Sequence, residues 1–214
     1  MNTNPSRHRF LLIALAGISL LTGLGAGIAR MGWLLPLPNE QFVTVHGPLM
    51  VVGFLGTLIG LERAVALQRW WAYAIPIGAG LSALLALLSA PLQISASLAV
   101  LAGMLLVAVF ITLYRQYPSE HFIIMALSAL AWVVGNVLWF AEAAVFTLVP
   151  WWVGYLVLMI AGERLELSRL RQPTALIRRV FGALAACATN VAAAVSLRGV
   201  AVAQAAGSFR TYVF

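Results

Sequence analysis

The sequence contains no lysine and no aspartate, and charge of either sign is scarce. Thirteen arginines and six glutamates carry all of it, 9% of 214 residues. With 63% hydrophobic residues, the chain is too apolar for a soluble domain. Its apolar runs do not alternate, which argues against the short alternating segments of a membrane β-barrel. The single cysteine, Cys187, excludes an internal disulfide. No Cys-x-x-Cys-His motif is present, so covalent c-type haem attachment is excluded as well. Walker loops, catalytic triads and zinc motifs are also missing. The net charge of +7 is therefore read as membrane topology, with the lipid bilayer as the partner and no nucleic acid.

Apolar runs of about 18 or more residues do recur, and each is long enough to cross a bilayer. They predict an all-α, polytopic transmembrane helix bundle. Seven spans are expected: 10–29, 42–61, 71–88, 94–113, 122–141, 143–162 and 180–197. Only Glu142 separates the fifth from the sixth, and Pro150 either kinks the sixth or marks a later start. The first run follows Arg7-His8-Arg9 and imitates a signal peptide. It continues to Ile28, which favours an uncleaved helix.

The arginines give a direction. With the N-terminus in the cytoplasm, Arg7, Arg9, Arg63, Arg69, Arg115, Arg164, Arg169, Arg171, Arg178 and Arg179 lie inside, and Arg30, Arg198 and Arg210 outside. That distribution satisfies the positive-inside rule without inverting a helix. Trp70-Trp71 and Trp151-Trp152 are expected at the inner and outer interfaces. The basic stretch 164–179 is an ordinary inner loop or a site for anionic headgroups.

An internal likeness also emerges. Gly53-Phe-Leu through Glu62-Arg63 reads like Gly154-Tyr-Leu through Glu163-Arg164, 101 residues on. It relates the second span to the sixth, which implies parallel four-helix units of about 10–115 and about 121–197 within a single integral membrane domain, 1–214. The second unit lacks a fourth span, so the expectation is an incomplete copy of a longer architecture. Reciprocal pairs, Glu62 with Arg164 and Glu163 with Arg63, would tie the units together.

Three histidines remain to be placed. His8 lies in a polar tail and His121 beside Ser119 and Glu120. His46 alone opens an apolar run, where an imidazole is costly to hold. At helical spacing, His46, Met50, Gly53, Thr57 and Gly60 share a face. Gly56 and Gly60 form a small-xxx-small pair, as do Gly23 and Gly27 in the first span. Such a face admits either a neighbouring helix or a flat macrocycle. His46 is thus either a hydrogen-bonded structural residue or a metal ligand.

His46-Gly-x-x-Met50 resembles the second helix of haem-copper oxidase subunit I, and His46-x-x-x-Met50-x-x-Gly53-Phe54 resembles that of the NnrS family. NnrS proteins are haem- and copper-containing membrane proteins linked to nitric oxide tolerance. The resemblance implies that His46 ligates haem iron and that Met50 and Gly53 line the pocket. It implies a bacterial cytoplasmic membrane location and a role in nitric oxide response or respiratory chemistry. Arg30 is on the side where a haem propionate would lie.

The chain departs from these families in several places. Pro48 and Leu49 stand where NnrS sequences carry a histidine and a glutamate. The sixth and seventh spans hold no histidine, and no full copper ligand set is visible. No complete catalytic centre can be assembled, so enzymatic activity is left open, as is whether a second copy or further helices complete the protein. Two other classes stay in view: a transporter or channel, and a non-catalytic membrane scaffold.

Overall fold

The computed structural model describes residues 5–33 and 40–168, together with Ala186 and Asn190. Every regular element among them is helical. The first span is α1 (Pro5–Arg30). The second is one continuous helix built from a three-residue α2 (His46–Pro48), a π-helical segment (Leu49–Gly56) and α3 (Thr57–Leu67). A 3-10 turn at Trp70–Tyr73 leads into α4 (Ala74–Leu87). Then come α5 (Leu92–Gln116), α6 (Glu120–Phe140) and α7 (Val145–Ser168). Six of these helices are long and apolar enough to cross a membrane, so the chain is a membrane protein. They correspond to the first six expected spans. Apart from Ala186 and Asn190, the expected span at 180–197 lies outside the described residues, as do Cys187 and residues 169–179 of the basic stretch.

Local chemistry explains where the helices stop. Gln68 closes α3 in the left-handed region at φ 54°, its N–H bonding the Ala64 carbonyl at 3.1 Å. The junctions after α4 and α6 are alike. Ser89 at φ 57° and Glu142 at φ 56° each take the left-handed position. The next amide, of Ala90 or Ala143, reaches back to Leu85 O at 2.9 Å or Leu138 O at 3.0 Å. These are Schellman turns, which satisfy the last carbonyls of a helix. Neither position is glycine, so each turn carries about 1–2 kcal/mol of backbone strain. The Glu142 turn separates the fifth and sixth spans, the junction that sequence pattern alone barely marked.

The prolines are placed where they cost least or are absorbed. Pro48 and Pro76 fall in the first turns of their helices, where a missing N–H breaks no intrahelical bond. Pro150 lies inside α7, which begins five residues earlier at Val145. A later start at Pro150 is thereby ruled out. Neighbouring helices are what let a membrane helix tolerate an internal proline.

The chain divides into two units, residues 1–109 and 110–214, with the boundary inside α5. In the first, the π segment packs between α1 and α4. The buried residues there are mostly small: Ala16, Ala26, Ala64, Ala79 and Ala83, with Leu49, Val52 and Ile75. In the second, α6 packs on α7 around larger groups: Met125, Trp132, Tyr155, Leu158 and Met159.

The two glycines of the proposed repeat also differ. A Cβ at Gly53 would lie 2.5 Å from Ala83 Cβ and 2.7 Å from Ser19 Oγ, whereas one at Gly154 would meet nothing within 4 Å. Backbone contact of the Gly53 kind is how helices associate in lipid, where burying apolar surface gains little. Gly53→Ala should therefore lower the thermal midpoint in detergent by the equivalent of about 1–3 kcal/mol. Gly154→Ala should leave it unchanged or slightly raised.

Candidate functional site

His46 opens the second span, and its ring is held by the first. Its Nδ1 lies 2.7 Å from the Gly23 carbonyl oxygen. A carbonyl can only accept, so Nδ1 carries the proton, and in the neutral ring Nε2 is then the nitrogen with the lone pair. Nε2 makes no hydrogen bond among the described residues. The imidazole is half-buried and rests on Gly27, where an added Cβ would come within 2.9 Å of His46 Cε1 and 3.0 Å of Nδ1.

One turn along, Met50 repeats the arrangement. A Cβ at Gly23 would stand 2.9 Å from Met50 Sδ and 3.3 Å from Leu49 Cβ. The two four-residue spacings, Gly23/Gly27 on α1 and His46/Met50 on the second span, thus interlock. Both pairs are visible in the sequence. What the sequence lacks is any mark that one pair fills the other.

Of the expected site residues, His46 and Met50 come together on α1. Gly53 is occupied by Ser19 and Ala83 and lines no open face. The glycine-rich face accordingly receives neighbouring helices. The π segment begins at Leu49, directly after the turn that carries His46. π-helical insertions are rare and occur often at functional sites.

Other groups fall differently from the sequence expectation. His121, expected in a polar stretch, is buried at 4% exposure at the start of α6. Its neighbours Ser119 and Glu120 disguised this. Trp152, expected as an interfacial anchor, is also buried at 4%. Its Nε1 donates to Asn136 Oδ1 at 3.1 Å. Asn136 thus bonds to a neighbouring helix. Trp132 stacks on Tyr155 at 5.1 Å, and Ser128 Oγ donates to Tyr155 O at 2.6 Å. This polar and aromatic set fastens α6 to α7. Trp70, by contrast, is 87% exposed beside Arg69.

At the far end of α3, Arg63 is buried and donates through Nη2 to Glu62 Oε1 at 3.0 Å, its own neighbour. Among the described residues no group of three or more histidine, cysteine or acidic side chains could hold a metal ion.

These features define a polytopic helical membrane protein with one pinned imidazole near the end of a span. The chain belongs to the family described as Domain of unknown function (DUF8744), whose model matches residues 9–211. No curated protein and no solved structure matches the chain.

The α6–α7 tie is directly testable. Trp152→Phe should destabilise by about 0.6 kcal/mol, and at most about 1.7 kcal/mol, the range for side-chain hydrogen bonds between membrane helices. In a double-mutant cycle with Asn136→Leu, the combined loss should be smaller than the sum of the two single losses.

Proposed function

We propose that the protein binds haem in the membrane, with His46 Nε2 as an axial ligand, and serves nitric oxide response or respiratory chemistry. The observation that supports this is the 2.7 Å contact from His46 Nδ1 to the Gly23 carbonyl. Metal-ligating histidines characteristically donate their other ring N–H to a carbonyl or carboxylate, which fixes the tautomer and raises ligand basicity. His46 has that arrangement, and its Nε2 makes no hydrogen bond among the described residues.

The fit is partial, and it narrows the reading. His46 suits an axial ligand. Gly53 and the sulfur of Met50 are committed to packing against Ser19, Ala83 and Gly23. Their part is to seat the helix that carries His46. Haem, when bound, supplies the one-electron and diatomic-gas chemistry of its iron. This chain supplies the imidazole, its orientation and an apolar surround. In the same reading the N-terminus is cytoplasmic, and Arg30 faces the same side as His46.

A second reading, a non-catalytic scaffold, has its own observation. The His46 ring fills the space over Gly27, and that alone could fasten α1 to the second span. Asparagine separates the two. His46→Asn keeps a donor where Nδ1 stands but removes Nε2.

Reduced-minus-oxidised optical spectra of the purified protein in detergent provide the test. Haem binding through His46 predicts a Soret band in the wild type, absent from both His46→Ala and His46→Asn. It also predicts near-wild-type thermal stability for the asparagine variant alone. A wild type that stays colourless after reconstitution with haem would rule the proposal out and leave the scaffold reading.

A further inference from the structure

The winding of the second span changes at Thr57, and the side chain there is left unsatisfied. Thr57 opens α3 directly after the π segment. It is fully buried, and its Oγ1 has no hydrogen-bond partner. Three other hydroxyls of the first unit settle the same problem locally. Ser19, Thr22 and Ser97 each donate to the carbonyl four residues back, Leu15 O at 3.0 Å, Ile18 O at 2.7 Å and Gln93 O at 2.6 Å. For Thr57 that acceptor would be Gly53 O, inside the π segment. The Thr57 amide misses the same carbonyl and bonds Phe54 O instead. The π winding thus moves the Gly53 carbonyl away from where an α-helix would present it.

Two terms oppose each other here. A buried hydrogen bond left unmade costs more than a made one gains, so Thr57 favours an α-helical second span. The seam favours the π form. Met50 and His46 fill Gly23 and Gly27, and Gly53 is closed against Ser19 and Ala83. A π turn takes up one more residue than an α turn. Rewinding it as α would rotate one flank against the other by about 100° and displace it by about 1.5 Å. The α3 flank is the more firmly held. A Cβ at Gly60 would lie 2.6 Å from Ile75 Cγ2 and 3.2 Å from Pro76 N, and Leu61, Arg63 and Ala64 are buried. On the other flank His46 and Met50 are only half-buried, so that is the flank to move.

From these opposed terms we propose that the π segment is a two-state switch. In the state described above, His46 rests on Gly27, its Nδ1–H is bonded to Gly23 O, and the Thr57 hydroxyl is unsatisfied. In the other state the segment is α-helical, Thr57 Oγ1 donates to Gly53 O, and the imidazole has turned off α1. A buried hydroxyl within the span is thereby coupled to the placement of His46 at its end. The switch does not depend on the haem reading, since it acts on the imidazole whatever that ring binds.

The test is nitrogen-15 relaxation dispersion on the histidine side chains of the full chain in detergent, without added haem, which reads the microsecond-to-millisecond range of helix register shifts. His46→Asn assigns the signal. In the wild type, His46 Nδ1 should exchange between a hydrogen-bonded and an unbonded environment. Thr57→Val keeps the shape and removes the donor. It should reduce the unbonded population about three- to tenfold, the worth of one net hydrogen bond. Thr57→Ser should retain the exchange. Deleting Val51 takes the extra residue out of the π segment and leaves both flanks in place, so it should abolish the exchange and keep the bonded signal. If the deletion does not fold, Thr57→Val decides. A single His46 environment in the wild type, populations unchanged in Thr57→Val, or exchange that persists without Val51 would each overturn the proposal.

Discussion

Helices in a bilayer are not driven together by water. Lipid tails are as apolar as leucine, so association depends on how closely backbones approach and on the few hydrogen bonds made between them. In the first unit both requirements are met at one seam. Gly23 and Gly27 of α1 receive Met50 and His46, and Gly53 of the second span receives Ser19 of α1. The His46–Gly23 hydrogen bond crosses the same seam. The position of the imidazole, its tautomer and the packing of the π segment all depend on this close contact.

The second unit solves the same problem with different residues. Between α6 and α7 the contact is made by large aromatic side chains and by two buried hydrogen bonds, Trp152 to Asn136 and Ser128 to Tyr155. One unit relies on small residues and close backbone approach, the other on shape and polar ties. The sequence likeness between the second and sixth spans therefore does not extend to their packing. Gly53 is closed in, whereas a Cβ at Gly154 would meet nothing within 4 Å, and the second span is widened by a π segment while α7 carries an internal proline.

Much of the architecture was legible in the residues because hydropathy reports directly on what can lie in lipid. The positions of the first six spans and the all-helical class follow from runs of apolar residues. Other features were hidden for identifiable reasons. His121 is buried although its neighbours Ser119 and Glu120 are polar, because the helix begins with them and turns the imidazole inward. Trp152 has the composition of an interfacial anchor, but its indole N–H meets an acceptor inside the bundle. The π segment leaves no compositional trace. At His46 the sequence showed the imidazole and the glycines but not which glycines it would meet, since that depends on the register between two helices.

The central claim is that His46 Nε2 is an iron ligand, oriented by its other nitrogen. Pulsed electron paramagnetic resonance on the ferric protein, reconstituted with haem and labelled with nitrogen-15 histidine, addresses it most directly. Only three histidines exist, so the assignment is simple. The account predicts strong hyperfine coupling to a single imidazole nitrogen, lost in His46→Asn and retained when His8 and His121 are replaced. A coupling that survives the loss of His46, or no imidazole coupling in protein that holds haem, would contradict it.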